Sequence, residues 1–405
     1  MYNLNFFMFA ITRFISIIGS SISYIGIYWV ISLSYSEFVV SLLTFTFFLT
    51  RFISFTFLGP FADRYRSDKI IINTMVFRFI LLLFVGLLFS FFELPTIFVF
   101  LVIVLQILPE SLSNVSSTKI IPQIVEDKNL TQANSLLNFM NNFSMFLGMV
   151  IGGFLISFIS LKGLFFLQAI CYLIGVLLFK AVKLKGNQQT ENRVVKKYIV
   201  EWKEGLVYIK ENKWLLGLIA MAISANISIA PITFILAPYA INILNGDSLT
   251  FTMLENALLI GGLLSSLFLA KFNINRLSLI YILSCLFQGI VMLVFGLSSG
   301  LVVSLICLLF IGIAVTVFNI PFTTLIQRNV EINNMGRIRS VTMAITSVIS
   351  LISFVLGGII TTYIGIQNTL ILFSILGTIS TIVVLLHKPF SSLEITNKKV
   401  INSNF

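Results

Sequence analysis

The sequence predicts an all-α membrane protein: twelve transmembrane helices in two pseudo-symmetric six-helix bundles. Three observations carry that prediction. The 405 residues are 58% hydrophobic and only 10% charged, with a mean hydropathy of +1.04, whereas a soluble domain has about 25% charged residues. A soluble enzyme is thereby excluded. The apolar residues run unbroken, as in Leu94 to Leu108 and Leu301 to Phe318, where a membrane β-barrel would show short segments of alternating polarity. Finally, the second half repeats landmarks of the first at a constant offset of 205 residues.

At about 20 residues per crossing, the first half holds spans at Phe6 to Leu33, Phe38 to Ala62, Ile70 to Phe92, Pro95 to Thr118, Thr131 to Ile159 and Leu164 to Val182. The second half holds Leu215 to Ile241, Phe251 to Ala270, Leu277 to Leu297, Leu301 to Leu325, Arg337 to Tyr363 and Gln367 to Leu386. Met1 to Asn5 has neither a basic region nor a cleavage site ahead of the first apolar stretch, so that stretch reads as a retained span. Of the 26 lysines and arginines, 22 fall in the even-numbered connections, at the span ends that border them, or in the C-terminal tail. Positive-inside therefore places both termini in the cytoplasm. The net charge of +11 reflects these loops, and no basic module interleaved with aromatics suggests nucleic acid. Cys171, Cys285 and Cys307 sit in apolar runs without metal spacing and read as small buried hydrophobes.

The organisation expected is a bundle at 1–183, a cytoplasmic linker at 184–213, a second bundle at 214–387 and a tail at 388–405. Within the linker, Ile199, Trp202, Leu206 and Ile209 recur at helical spacing and predict a short amphipathic helix. The repeat aligns Val125-Glu126 through Ser135 with Val330-Glu331 through Ser340, and Gly152-Gly153 with Gly357-Gly358. Each half thus repeats a loop, a span with a close-packing glycine pair and a further span.

The loop after the second span reads Gly59-Pro60-Phe61-Ala62-Asp63-Arg64-Tyr65-Arg66-Ser67-Asp68-Lys69. Gly59 permits close approach of a neighbour, and Asp63 can accept from the unpaired N–H groups that open a helix, for which Arg337 marks an apt start. This loop resembles the G-x-x-x-D-R-x-x-R-R/K signature of the major facilitator superfamily, with the final basic residue at Lys69 and Ser67-Asp68 disturbing the spacing. The resemblance implies a gating loop formed by Gly59, Asp63, Arg64 and Lys69, with Arg337 as partner, that latches the two halves on the cytoplasmic side. In the second half the matching loop, Lys271 to Arg276, lacks the Gly and Asp. Gly148 to Gly153 is similar to the G-P-x-x-G-G stretch of antiporter members, with Met149 in place of proline. With Thr131 to Ser135 and Gly205 to Ile209, the pattern resembles the macrolide-efflux and siderophore-export branch.

Ionisable groups inside a membrane cost at least about 2.5 kcal/mol each unless paired or hydrated. At about 1.5 Å per residue, Arg13, Arg51, Arg78 and Glu110 all lie roughly 12 to 17 Å from the cytoplasmic boundary. In the fold that the resemblance implies, the first and fourth spans line the central cavity, so Arg13 and Glu110 are expected to form an ion pair or a water-bridged pair. Glu110, next to the helix-breaking Pro109, is the preferred proton-coupling residue. Glu255 is a second candidate, near the outer boundary. Arg51 and Arg78 read as structural donors to neighbouring carbonyls. His387, at the end of the last span, is too remote to shuttle a proton. Gln106, Asn226 and Asn319 are candidates for a substrate cavity, and Asn138, Asn141 and Asn142 share one helix face as interhelical glue.

No phosphate-binding G-x-x-x-x-G-K-[ST] motif occurs, which argues against an ATP-driven pump, and no nucleophile–base or metal constellation points to an intramembrane enzyme. The expectation is a bacterial cell-membrane exporter of a hydrophobic or amphipathic small molecule, without a cofactor, driven by a proton gradient and working as a monomer. A lipid or nutrient transporter of the same fold, or a non-transporting receptor or scaffold, is the alternative.

Overall fold

A computed structural model of the chain describes residues 4–92, 96–125, 130–182, 198–271, 277–330 and 332–386. Their secondary structure is helical: α1 (Leu4–Ser34), α2 (Glu37–Arg64), α3 (Ser67–Phe91), α4 (Thr96–Ile124), α5 (Leu130–Leu155), α6 (Leu161–Lys180), α7 (Tyr198–Glu211), α8 (Lys213–Ile229), α9 (Ile232–Asn242), α10 (Ser248–Lys271), α11 (Leu277–Leu297), α12 (Leu301–Asn329), α13 (Ile332–Ile364) and α14 (Ile366–Leu386). Only helices satisfy their own backbone in lipid without a partner strand. Among the described residues, ten stretches are long and apolar enough to cross a membrane, one of them the joined α8 and α9 (Lys213–Asn242). Two shorter apolar stretches, Phe98–Asn114 in α4 and Phe139–Leu155 in α5, complete the twelve crossings. Proline sets the break between α8 and α9 at Pro231, while α9 and α12 run through Pro238 and Pro321.

The duplication is visible in the packing. Helix α1 packs on α5 and α6, and α3 on α4 and α6; α8 packs on α13 and α14, and α11 on α12 and α14. Reading α8, α11, α12, α13 and α14 for α1, α3, α4, α5 and α6 turns the first set of pairs into the second. Helices α4 and α12 begin 205 residues apart, as do α6 and α14. For α3 and α11 the offset is 210: a Cβ at Gly86 would meet the Phe166 ring, one at Gly296 would meet Ile371, and Phe166 and Ile371 are themselves 205 apart.

The chain divides into two compact units. One comprises Met1–Tyr35, Leu43–Val194 and Gly246–Thr252, the other Ser36–Leu42, Val195–Asn245 and Met253–Phe405. The repeated glycine pairs explain why the starts of α2 and α10 are exchanged. Gly152 lies against α1, where an added Cβ would come 2.9 Å from the Ile22 Cα, and Gly153 leaves room for the side chain of Thr252 at the start of α10. Ser248 then donates to the Gly153 carbonyl at 2.9 Å. In the other unit Gly357 lies against the Phe234 ring of α9, and Gly358 leaves room for Ser41 at the start of α2. Asn242 donates to Glu37 there at 3.1 Å.

The linker helix α7 packs against α13 and α8. Its Ile209 is buried in a cluster with Leu215, Leu218, Ile338 and Val341, and Leu206 and Tyr208 lie against that cluster. The side chains of Ile199 and Trp202 lie outside the described residues.

Candidate functional site

In the first unit, three helices aim polar side chains at one layer. Helix α4 presents Gln106 and Glu110, one turn apart and so on one face; α6 presents Gln168 and Tyr172 in the same way, and α3 brings Arg78. The Arg78 Nη2 donates to Glu110 Oε2 at 2.9 Å, forming an ion pair whose arginine side chain is 8% exposed and whose carboxylate side chain is 37% exposed. The same nitrogen donates to Gln106 at 3.4 Å. Gln106 and Gln168 exchange amide hydrogen bonds at 3.4 Å, and Gln168 donates to the Tyr172 hydroxyl at 3.4 Å. Ser20 of α1 and Tyr172 share a hydrogen bond of 2.8 Å. The Arg78 guanidinium stacks over the Tyr172 ring at 4.2 Å from its centroid, a cation–π contact that offsets part of the cost of burial. Arg78, Gln106, Glu110 and Gln168 wall a cavity of ≈ 80 Å³ together with Ser20, Ser23, Tyr24 and Tyr28 of α1.

The direct ion pair of Glu110 is with Arg78 and not with Arg13. Arg13 instead donates to Asn141 of α5 at 3.5 Å and Asn114 of α4 at 3.4 Å, staying within electrostatic reach of Glu110. The cause is helix packing: α3 and α4 pack together closely, whereas α1 touches α4 only slightly. Arg78, expected to be a structural donor to carbonyls, holds the acid. Gln168 and Tyr172 went unnoticed in the sequence. The signal available was a pair of polar groups at i, i+4 in an apolar span, matching the Gln106 and Glu110 spacing in α4.

The second unit carries a cavity of ≈ 260 Å³, lined by Asn226 of α8, Phe318, Asn319, Phe322 and Thr323 of α12, and Thr342 and Thr346 of α13, among others. Among the described residues, no charged one lines it. Asn226 donates to the Ala222 carbonyl at 2.7 Å and accepts from Ser350 at 3.5 Å. Phe318 and Phe322 stack at 6.1 Å, and Tyr281 stacks on Phe318 at 4.7 Å. Asn226 and Asn319 are thus brought to one wall, while Gln106 belongs to the first unit's network.

Glu255 lies half-buried in α10 and Arg51 is exposed in α2. In the loop motif, the backbone of Gly59, Asp63 and Arg64 is helical, and the side chains of those three and of Arg337 lie outside the described residues. Lys69 is exposed. Its backbone N–H donates to Asp68 at 2.9 Å, and Asp68 is paired with Arg66 at 2.8 Å. The disturbed spacing of the motif therefore has a local use, since Asp68 opens α3 with a carboxylate at its positive end. His387 lies outside the described residues.

Two helical repeats with the same internal pairing, each enclosing a cavity and one of them holding a buried ion pair, define a polytopic membrane transporter by class. Residues 9–353 match the Major Facilitator Superfamily, and the chain belongs to that family. It is 26% identical over 254 residues, 62% of this chain and 59% of the relative's length, to an uncharacterized MFS-type transporter, YvqJ, of Bacillus subtilis. It is 21% identical to macrolide efflux protein A of Streptococcus pyogenes, over 92% of this chain and 93% of that one. It is 26% identical to the staphyloferrin A transporter of Staphylococcus aureus, over 92% of each. Among solved structures, a mutant of the nucleoside transporter NupG superposes with a TM-score of 0.74 at 12% identity, covering 94% of this chain and 99% of that one. At that identity the likeness concerns the fold.

Proposed function

We propose that this protein is a secondary exporter in the cell membrane, with cytoplasmic termini, that moves a hydrophobic or amphipathic small molecule outward in exchange for protons. The observation that carries the reading is the Arg78–Glu110 pair, a carboxylate 37% exposed on a cavity wall beside an arginine 8% exposed. The partner acid is the group free to alternate, bound to Arg78 when ionised and released from it when protonated. Arg13, bound to Asn114 and Asn141, adds a second guanidinium to the same layer. The efflux and siderophore relatives support export of a small molecule.

The roles on this reading are these. Glu110 carries the proton, Arg78 is its counter-charge, and Gln106 and Gln168 hold the guanidinium in place. The uncharged wall of Asn226 and Asn319, with its stacked phenylalanines, receives apolar and hydrogen-bonding parts of the substrate. Asp63 and Arg337, whose side chains lie outside the described residues, are assigned to cytoplasmic gating by the loop motif alone, and Glu255 is a secondary acid. Reconstitution into proteoliposomes tests this. Imposing a proton gradient should drive uptake of a macrolide or siderophore probe by everted wild-type protein, and Glu110→Gln should abolish it while remaining folded. Wild-type transport by Glu110→Gln would remove Glu110 from the mechanism.

A further inference from the structure

We infer that the cavity of the first unit is a hydrated chamber through which Glu110 exchanges its proton with the membrane face at the Ser34 end of α1. The route stays inside one bundle, away from the neutral cavity assigned to substrate. This inference rests on the proton-coupled reading above.

The chamber meets the conditions for standing water, which are polar walls, room for the molecules and two to four partners for each. Its ≈ 80 Å³ accommodates about five waters at roughly 15 Å³ apiece. Two polar atoms of residues on its wall, Arg78 Nε and Ser23 Oγ, are buried without a hydrogen-bond partner among the described protein groups. A buried guanidinium N–H left unpaired is destabilising, and a water oxygen relieves it. The guanidinium cannot turn elsewhere, because Nη2 is committed to Glu110 and Gln106 and the plane is stacked on Tyr172.

The polar groups also form a ladder. Ser20, Ser23, Tyr24 and Tyr28 share one face of α1 and all line the cavity, spanning about 12 Å of helix. Tyr28 and Thr44 of α2 share a hydrogen bond of 2.8 Å. The ladder runs from the level of Glu110 toward the α1–α2 turn and ends less than two helical turns short of Ser34. Apolar side chains, Ile27, Phe47, Ile103 and Ile107, line the remaining wall, which confines water to a file. Among the described residues, the charged and titratable groups around Glu110 are Arg78 from α3, Arg13, Tyr24 and Tyr28 from α1 and Tyr172 from α6; α2 contributes Phe47 to the wall, and α5 contributes Asn141, bound to Arg13. Glu110 is the acid among the described wall residues. A proton entering at the Tyr28 end passes by exchange of O–H bonds. Each water or hydroxyl gains one and gives one up, and the last transfer forms the carboxyl O–H of Glu110 as its bond to Arg78 opens.

Hydrogen ions themselves are the probe. In proteoliposomes, a downward pH jump should raise an infrared carboxyl band that Glu110→Gln removes. Ser23→Val, which fills the chamber and deletes a hydroxyl, should slow the rise of that band roughly tenfold, the rate equivalent of about 1.4 kcal/mol. Ser23→Thr should restore the rate, and Tyr28→Phe, which keeps the ring in place, should also slow it. A Glu110 band that rises at the wild-type rate in both Ser23→Val and Tyr28→Phe overturns the chamber and leaves the coupling role of Glu110 standing. Failure of any carboxyl band to depend on Glu110 overturns the coupling role and the chamber with it.

Discussion

The two units share a frame and differ in what the frame encloses. At the 205-residue offset, Gln106, Glu110, Gln168 and Tyr172 correspond to Ile311, Val315, Phe373 and Gly377. At the 210-residue offset Arg78 corresponds to Gln288, which is buried and donates to the Ala225 carbonyl at 2.9 Å. The polar layer of the first unit is therefore written in aliphatic, aromatic and amide side chains in the second, on helices that pair in the same order. Where the second cavity does keep polar groups, they are uncharged: Asn319 stands 205 residues after Asn114, and Thr346 after Asn141. Helix packing after a duplication depends on small residues and shape, which both copies retain. Charge depends on a few positions that packing leaves free. The two copies thus differ in what they enclose, an ion pair in one and, among the described residues, uncharged groups in the other.

The strongest way to break this comparison is to write the second unit into the first. Arg78→Gln copies Gln288 and leaves Glu110 without its cation. Removing one partner of a fully buried pair costs about 3 kcal/mol or more, and the 37% exposure of the Glu110 side chain lets water offset part of that, so the variant should unfold at lower temperature in detergent and should lose gradient-driven transport. Arg78→Gln combined with Glu110→Val, the residue found at 315, should regain most of the stability and none of the transport. Near-wild-type melting of the single variant would mean that the pair does not hold this layer together, and the contrast between the units would then be one of composition only.

Much of the frame was legible in the sequence. The apolar runs located the twelve crossings, because hydrocarbon tolerates little else of that length, and the glycine pairs at one offset marked the duplication. Glu110 was legible because an acid at that depth needs a reason. Its partner was not. Depth along a helix follows from residue count and placed Arg13, Arg78 and Glu110 in one layer, but the choice between the arginines depends on which helices touch and on their rotation, which span hydrophobicity does not encode. Gln168 and Tyr172 were missed for the same reason. The exchange of the α2 and α10 starts was also hidden, since Ser41 and Thr252 are ordinary small residues until a glycine of another helix is set against them.

That exchange gives a prediction of intermediate size. A Cβ at Gly358 would collide with Ser41, and one at Gly153 with Thr252. Overpacking of this kind costs about 1–3 kcal/mol, so Gly358→Ala and Gly153→Ala should lower thermal stability by similar amounts. Ser41→Gly should rescue Gly358→Ala and leave Gly153→Ala unimproved, the pattern of a coupled pair in a double-mutant cycle. Equal rescue of both, or of neither, would separate the repeated glycines from the helix starts they face.

The smallest expected effect lies at the turn before α10. Asp247 caps that helix: its carboxylate accepts from the Thr250 N–H at 2.9 Å and the Thr250 hydroxyl at 3.0 Å. The corresponding turn before α2 is closed by the carbonyl of Ser36, which accepts from Val39 at 2.9 Å and carries no titratable group. The Thr250 backbone N–H, ahead of other causes, holds the Asp247 carboxyl below its ordinary value. A depressed carboxylate stabilises the fold fully above its unfolded value of about 3.9, and that contribution fades as the pH falls through the folded one. Replacing a capping aspartate by alanine costs about 1 kcal/mol, and the exposed position keeps the charge-dependent share smaller still. Asp247→Asn, which keeps one side-chain acceptor, should melt slightly below wild type at neutral pH, with the gap closing in acid as Asp247 takes up its proton. The difference between the two proteins cancels the titration of every other carboxylate. A gap that stays constant with pH would assign the stabilisation to cap geometry alone, and the turns before α2 and α10 would then be closed by the same means.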